Sequence, residues 1–143
     1  MTQKHRYLFV YGTLREDAGH PMHHVLVRSA SFVGRATVRG MLYSLGEYPG
    51  LVPNQVGPDF VKGEVYQIDD GVLERTLSFL DDYEGLGPDK PLPHEYCREL
   101  VAAKLDDGRE VDAWAYVLNQ SHARLRRIRS GDFVKWLRLR RSA

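Results

Sequence analysis

The chain has 143 residues, of which 43% are apolar and 27% charged, and its formal net charge is +1. That length supports one folded core burying about 70% of the surface an unfolded chain exposes, and no apolar run approaches the ~20 residues of a membrane-spanning helix. With Cys97 the only cysteine, an internal disulfide and a cysteine-rich zinc site are both excluded.

In chain order, the aromatic and aliphatic run from Arg6 to Tyr11 stops at Gly12 and predicts a buried first strand. Pro21 followed by Met22, Val25 and Leu26 predicts a short helix. Ser31 to Leu45 carries apolar residues around Gly34 and Gly40, the pattern of bent strands in a small barrel. Gly46 to Asp59 is rich in glycine and proline and predicts a loop, with one short extended piece at Leu51 and Val52. Val61 to Ile68 alternates as a strand, with a close backbone approach expected at Gly63. Leu73, Thr76, Leu77 and Leu80 then fall on one helical face, with Asp69 or Asp70 as N-cap and Gly85 as left-handed C-cap.

Leu86 to Pro93 holds Gly87, Pro88, Pro91 and Pro93 and reads as an exposed loop. The runs Tyr96–Leu105 and Glu110–Leu118 flank Asp106-Asp107-Gly108, a hairpin signal. Ser130-Gly-Asp132 before Phe133, Trp136 and Leu137 predicts an Asp-capped helix. Strands on both sides of a helix, linked by hairpins, define an α+β domain. One domain is expected over residues 1–143, with a basic segment from about 121, where eight Lys/Arg face Asp132 alone. Such a segment binds anionic partners in some proteins; here it lacks the interleaved aromatics of single-strand binders, so nucleic acid is not expected and a solvated segment is. The apolar run after the basic opening is too short for a signal-peptide core, so no membrane contact and a cytoplasmic location are expected.

Four groups could carry chemistry. Glu84, in Leu-Asp-Asp-Tyr-Glu-Gly, falls at a helix C-terminus, where the helix dipole raises a carboxyl's pKa toward that of a general base; a surface glutamate beside Asp81 and Asp82 has the same pattern. Gly12, Thr13 and Leu14 form either a simple corner or an amide cradle for an anion, with Arg15 as an added donor. His20, His23 and His24 have helical spacing, but without a matched carboxylate motif they read as a polar helix start rather than a metal site. Cys97 and His94, three apart on an extended segment, do not form a dyad by spacing alone.

Taken together, Tyr11-Gly-Thr-Leu-Arg15, Gly63-Glu-Val-Tyr66, Leu80-Asp-Asp-Tyr-Glu-Gly85, Tyr96-Cys-Arg98 and Ser130-Gly-Asp-Phe133 resemble the γ-glutamylcyclotransferase-like (AIG2-like) family, and its short bacterial members most. The resemblance implies a small mixed β-barrel flanked by a few helices. It also implies release of 5-oxoproline and a free amine from a γ-glutamyl substrate, with no cofactor and no metal. Glu84 matches the family's catalytic glutamate, and Tyr11, Gly12, Thr13, Leu14 and Arg15 its substrate loop. Tyr96 and Tyr116 would wall the pocket. The chain departs from the pattern in a longer Leu86–Glu95 insertion, expected to act as a semi-rigid lid or wall. Two other readings stand beside this one: a non-catalytic module binding an amino-acid-like anion, and an interaction protein working through the basic segment. The oligomeric state is left unassigned.

Overall fold

The computed structural model describes residues 5–142, with side chains through Arg140. Strand β1 (Tyr7–Val10) is paired on both edges: antiparallel to β4 (Phe60–Ile68) and parallel to β6 (Glu110–Leu118). The long strand β2 (Ala30–Ser44) pairs with β4 and with β5 (Tyr96–Leu105), which in turn pairs with β6. The order β1-β4-β2-β5-β6 returns to β1 and closes a five-stranded barrel, as the glycine-interrupted strands predict.

Period-two alternation divides the side chains of β1 between two cores. Phe9 points inward and packs with Val38, Val61, Val65, Ala103 and Ala115, contributed by the other four strands. Leu8 and Val10 point outward, to a second core formed with α1 (Met22–Leu26) and α2 (Leu73–Tyr83). There Leu73, Leu77 and Leu80 supply the apolar face read from the sequence, and Thr76 is buried with them.

Several local expectations hold and others change. The Asp107-Gly108 turn joins β5 to β6, with Gly108 at φ +96°. The expected bend in β2 is a bulge between Phe32 and Gly34. At Gly40 the strand changes partner, leaving β4 for β3 (Pro49–Pro53). β3 is a true strand where a loop with one short extended piece was expected, because β2 and β6 supply partners for its backbone. Neither Asp69 nor Asp70 caps α2 through its side chain; a 3-10 turn over Asp70–Val72 leads into the helix instead. No described helix is long and apolar enough to cross a membrane.

The basic segment is not merely solvated chain. Its β7 (Arg126–Arg127) pairs with the end of β2, and Ile128, Phe133 and Val134 are buried. Arg124, Arg126, Arg129, Lys135, Arg138 and Arg140 remain exposed. Helix α3 (Phe133–Ser142) starts as predicted: Asp132 accepts the Lys135 N–H at 3.1 Å through its carboxylate.

Gly63 lies where the barrel is tightest. A Cβ there would stand 2.3 Å from the Val10 carbonyl oxygen and 2.7 Å from the Phe9 ring, so any side chain must push β1 off β4. Around Gly71, by contrast, nothing lies within 4 Å of an added Cβ. Gly63→Ala is therefore expected to lose about 2–4 kcal/mol in urea unfolding, and Gly71→Ala to stay within about 0.5 kcal/mol of the parent.

Candidate active site

The position of Glu84 follows from how α2 ends. The Leu86 N–H donates to Asp81 O at 2.8 Å and the Gly85 N–H to Asp82 O at 3.1 Å, with Gly85 at φ +84°. This is a Schellman cap, and it is why glycine follows the glutamate. Glu84, the last residue before the chain reverses, lines a cavity of about 880 Å³.

The segment after β1 borders the same cavity. Tyr11, Gly12, Thr13 and Leu14 all line it. The Arg15 N–H closes a turn onto Gly12 O at 3.1 Å, whereas the N–H groups of Gly12, Thr13 and Leu14 have no acceptor among the described residues. Consecutive unengaged amides of this kind are an anion-binding feature. Gly12 itself answers to packing: a Cβ would meet Pro49 Cδ at 2.8 Å, so glycine lets the β2–β3 turn close against the corner.

Tyr96 and Tyr116 complete the wall from β5 and β6. The Tyr11 hydroxyl donates to the Tyr116 carbonyl and accepts the Leu51 N–H at 3.2 Å; the Tyr96 hydroxyl donates to the Pro49 carbonyl. The Tyr116 hydroxyl donates to Asp81 at 2.7 Å, and Asp81 also receives Arg98 at 2.8 Å. The Arg98 guanidinium in turn stacks over Trp114 at 4.5 Å. All three phenols are raised above their ordinary pKa, chiefly by burial, and the Glu84 charge adds to each. They stay neutral donors.

No described side chain donates a hydrogen bond to the Glu84 carboxyl. Burial first, and the nearby Glu95 carboxylate second, raise it from the ordinary 4.5 to about 7. The sequence reading credited the helix dipole; desolvation and a like charge are what dominate.

Arg15 changes place. It does not line the cavity; the residue is buried, and its guanidinium holds Asp17 at 2.8 Å and Asp132 at 2.9 Å. It thus ties the cavity corner to the start of α3. Two further contacts brace the corner: Glu64, buried in β4, accepts the Glu16 N–H at 2.9 Å, and the His23 ring bonds Leu14 O at 3.0 Å. His20 accepts the Met22 N–H, and the His24 ring packs edge-on against His23 at 5.9 Å. No group of three or more His, Cys, Asp or Glu among the described residues is arranged to hold a metal ion.

The sequence reading missed Glu47, Tyr48, Lys90, His94 and Glu95, which also line the cavity. The last three belong to or adjoin the proline-rich insertion, which forms wall as expected. Glu47 and Tyr48 lay hidden in a stretch read as loop.

Glu84 and the unengaged amides of Gly12, Thr13 and Leu14 thus line one cavity of a small closed barrel. The chain belongs to the γ-glutamyl cyclotransferase, AIG2-like family, whose description matches residues 8–136, and it is an enzyme of this kind by membership. It is 36% identical over 128 residues to the γ-glutamylcyclotransferase family protein YtfP of Escherichia coli, covering 89% of this chain and 95% of that one. Among solved structures, an AIG2-like protein from Mus musculus superposes with TM-score 0.63 at 28% identity, over 82% of this chain and 80% of its own. YkqA of Bacillus subtilis gives TM-score 0.68 at 26% identity over 98% of this chain, which spans only 44% of that longer protein.

Two outcomes are expected from this geometry. Because the folded pKa of Glu84 lies above its unfolded one, the folded state binds the extra proton; the Glu84 contribution to stability is fully present below about pH 4.5 and is lost as pH rises through about 7. Glu84→Gln should therefore gain about 1–3 kcal/mol over the parent at pH 8 and almost nothing at pH 4 in urea unfolding. Arg15→Met leaves Asp132 and Asp17 without their cation and should lose about 2–4 kcal/mol, read as a fall in thermal midpoint.

Proposed function

We propose that the chain is a γ-glutamyl cyclotransferase that converts a γ-glutamyl amino acid or γ-glutamyl amine into 5-oxoproline and a free amine. The observation that carries this reading is the meeting, in one cavity, of a carboxyl titrating near 7 with unengaged main-chain amides. The substrate supplies its own nucleophile, so neither serine, cysteine nor cofactor is required of the protein; it must position and move protons.

In this reading the amides of Gly12, Thr13 and Leu14 bind the substrate's α-carboxylate and the developing oxyanion. Glu84, as carboxylate, takes a proton from the α-ammonium. The freed amine attacks the γ-carbonyl carbon, and the new C–N bond closes a five-membered ring. The tetrahedral centre then collapses and the old C–N bond breaks: Glu84 hands its proton to the leaving nitrogen, then takes the second proton from the ring nitrogen and passes it on, so that the product is a neutral lactam and the amine departs as its ammonium. No water is consumed. The rings of Tyr11, Tyr96 and Tyr116 enclose the site, their hydroxyls committed to the protein. A cavity of about 880 Å³ exceeds the γ-glutamyl group and accommodates a sizeable leaving amine. Arg15 supports the corner from behind.

The test is a panel of γ-glutamyl amino acids and γ-glutamyl amines with 5-oxoproline detected as product. Glu84→Gln is expected to lower kcat/KM by about 10²–10⁴-fold, and the acidic limb of the wild-type profile should have its midpoint near pH 7. No turnover of any panel member by wild type would sink the reading; a thermal-shift gain without product would identify a binding module instead.

A further inference from the structure

Helix α2 meets the barrel in two ways. Along most of its length the contact is apolar, and Leu73, Leu77 and Leu80 share a buried cluster with Leu8, Val10 and Ile68. Such packing is strong but non-directional, so it does not by itself fix how the helix is rotated or where its last turn stands. At that last turn Asp81 makes the contact polar.

Two residues of the barrel wall converge on the Asp81 carboxylate. Arg98 of β5 and Tyr116 of β6 are register partners across the strand pair, so their side chains leave the same face of the sheet. The Tyr116 hydroxyl donates to Oδ1 at 2.7 Å, and Arg98 spans both oxygens, Nε to Oδ1 at 2.8 Å and Nη2 to Oδ2 at 3.3 Å. A two-pronged, charge-assisted contact of this kind fixes orientation as well as distance. The guanidinium is itself seated over Trp114, whose indole N–H donates to His5 O at 3.1 Å. The main chain of Asp81 holds the other end: its carbonyl accepts the Leu86 N–H at 2.8 Å, the outer bond of the cap that reverses the chain after Glu84. Tyr116 and Glu84 line the cavity, whereas Asp81 and Arg98 do not.

We infer that Asp81 is a positioning residue for Glu84, clamped by Arg98 and Tyr116 so that the end of α2 presents the Glu84 carboxyl to the cavity at a fixed place. Its side chain is gripped by β5 and β6 while its carbonyl anchors the turn on which Glu84 stands. A proton shuttle works only within hydrogen-bond reach of the nitrogens it serves, and a displacement of about 1 Å can cost on the order of 10²-fold in rate. The consequence for turnover rests on the proposed function of Glu84; the clamp itself does not.

The experiment compares wild type with Asp81→Ala, Asp81→Asn and Arg98→Lys, with Asp82→Asn as the control, since the Asp82 side chain lies outside the clamp. In amide hydrogen exchange read by NMR on the intact chain, Asp81→Ala should speed exchange at Glu84 and Leu86 by about tenfold or more and leave Leu77, in the middle of α2, at its wild-type rate. With the γ-glutamyl panel its kcat should fall by about 10–10²-fold while KM stays within about threefold, because the amides that bind the substrate belong to the segment after β1. Asp81→Asn still accepts the Tyr116 hydroxyl and should recover part of both losses. Arg98→Lys should show the same pattern at smaller amplitude, and it decides the question if Asp81→Ala does not fold. Unchanged exchange at Glu84 and Leu86 overturns the inference. An equal fall of kcat in Asp82→Asn does so too, as does faster exchange throughout α2 with kcat unaltered. If wild type turns over no γ-glutamyl compound, the proposed function fails while the exchange pattern still decides the clamp.

Discussion

Three tyrosines line the cavity with Glu84, and the hydroxyl of each is bonded to another acceptor. Tyr11 donates to the Tyr116 carbonyl, Tyr96 to the Pro49 carbonyl and Tyr116 to Asp81. These bonds knit β1, β3, β5, β6 and α2 into one wall. They also deprive the carboxylate of the donors that would lower its pKa, since hydrogen bonds to the charged form are what hold a buried carboxylate ionised. The same set of bonds therefore closes the site mechanically and leaves its acid unsatisfied electrically. Losing any one of them would loosen the wall and free a donor for Glu84 at once.

The other half of the cavity is fixed by ions rather than phenols. Arg15 reaches back from the corner to Asp132, which at the same time caps α3. Asp132 is held below its ordinary pKa: burial opposes this, and it is outweighed by the Lys135 N–H bond and the Arg15 charge. Phe133, fully buried, carries the start of α3 into the barrel core and lines the cavity beneath the corner. The C-terminal segment is thereby coupled to the amides of Gly12 to Leu14. Its exposed arginines face solvent, while its apolar and acidic residues hold the site; this explains how a strongly basic stretch belongs to a cavity containing three glutamates.

Much of this was legible in the sequence where a local rule governs the outcome. The helical spacing of Leu73, Leu77 and Leu80, Gly85 past the helix end, the Asp107-Gly108 turn and Asp132 as cap are short-range signals, and the backbone obeys them. Gly63 was legible too, though the sequence could not say that Phe9 and Val10 are what approach it. β3 was not, because Pro49 to Pro53 becomes a strand only when β2 and β6 offer their edges. The bonds of Arg15 were not legible for a related reason: a cation beside a turn has the same pattern whether it meets a ligand or an aspartate 117 positions away. Tyr48 carries no signal of its own. Its ring comes to 6.3 Å from that of Tyr96 only because the closed barrel brings the β2–β3 turn against the entrance of β5.

Gly12 shows how packing and chemistry share one residue. Pro49 lies so near that no side chain fits at position 12, and Pro49 also accepts the Tyr96 hydroxyl. The absence of a Cβ thus lets the β2–β3 turn come inward, which brings the Tyr48 ring beside Tyr96 and seats Tyr96 against Pro49. A larger residue at position 12 would move the turn outward before it could touch any ligand. The glycine serves the cavity by letting its far wall approach, and the amides beside it stand open because the chain there turns away from every strand that could have received them.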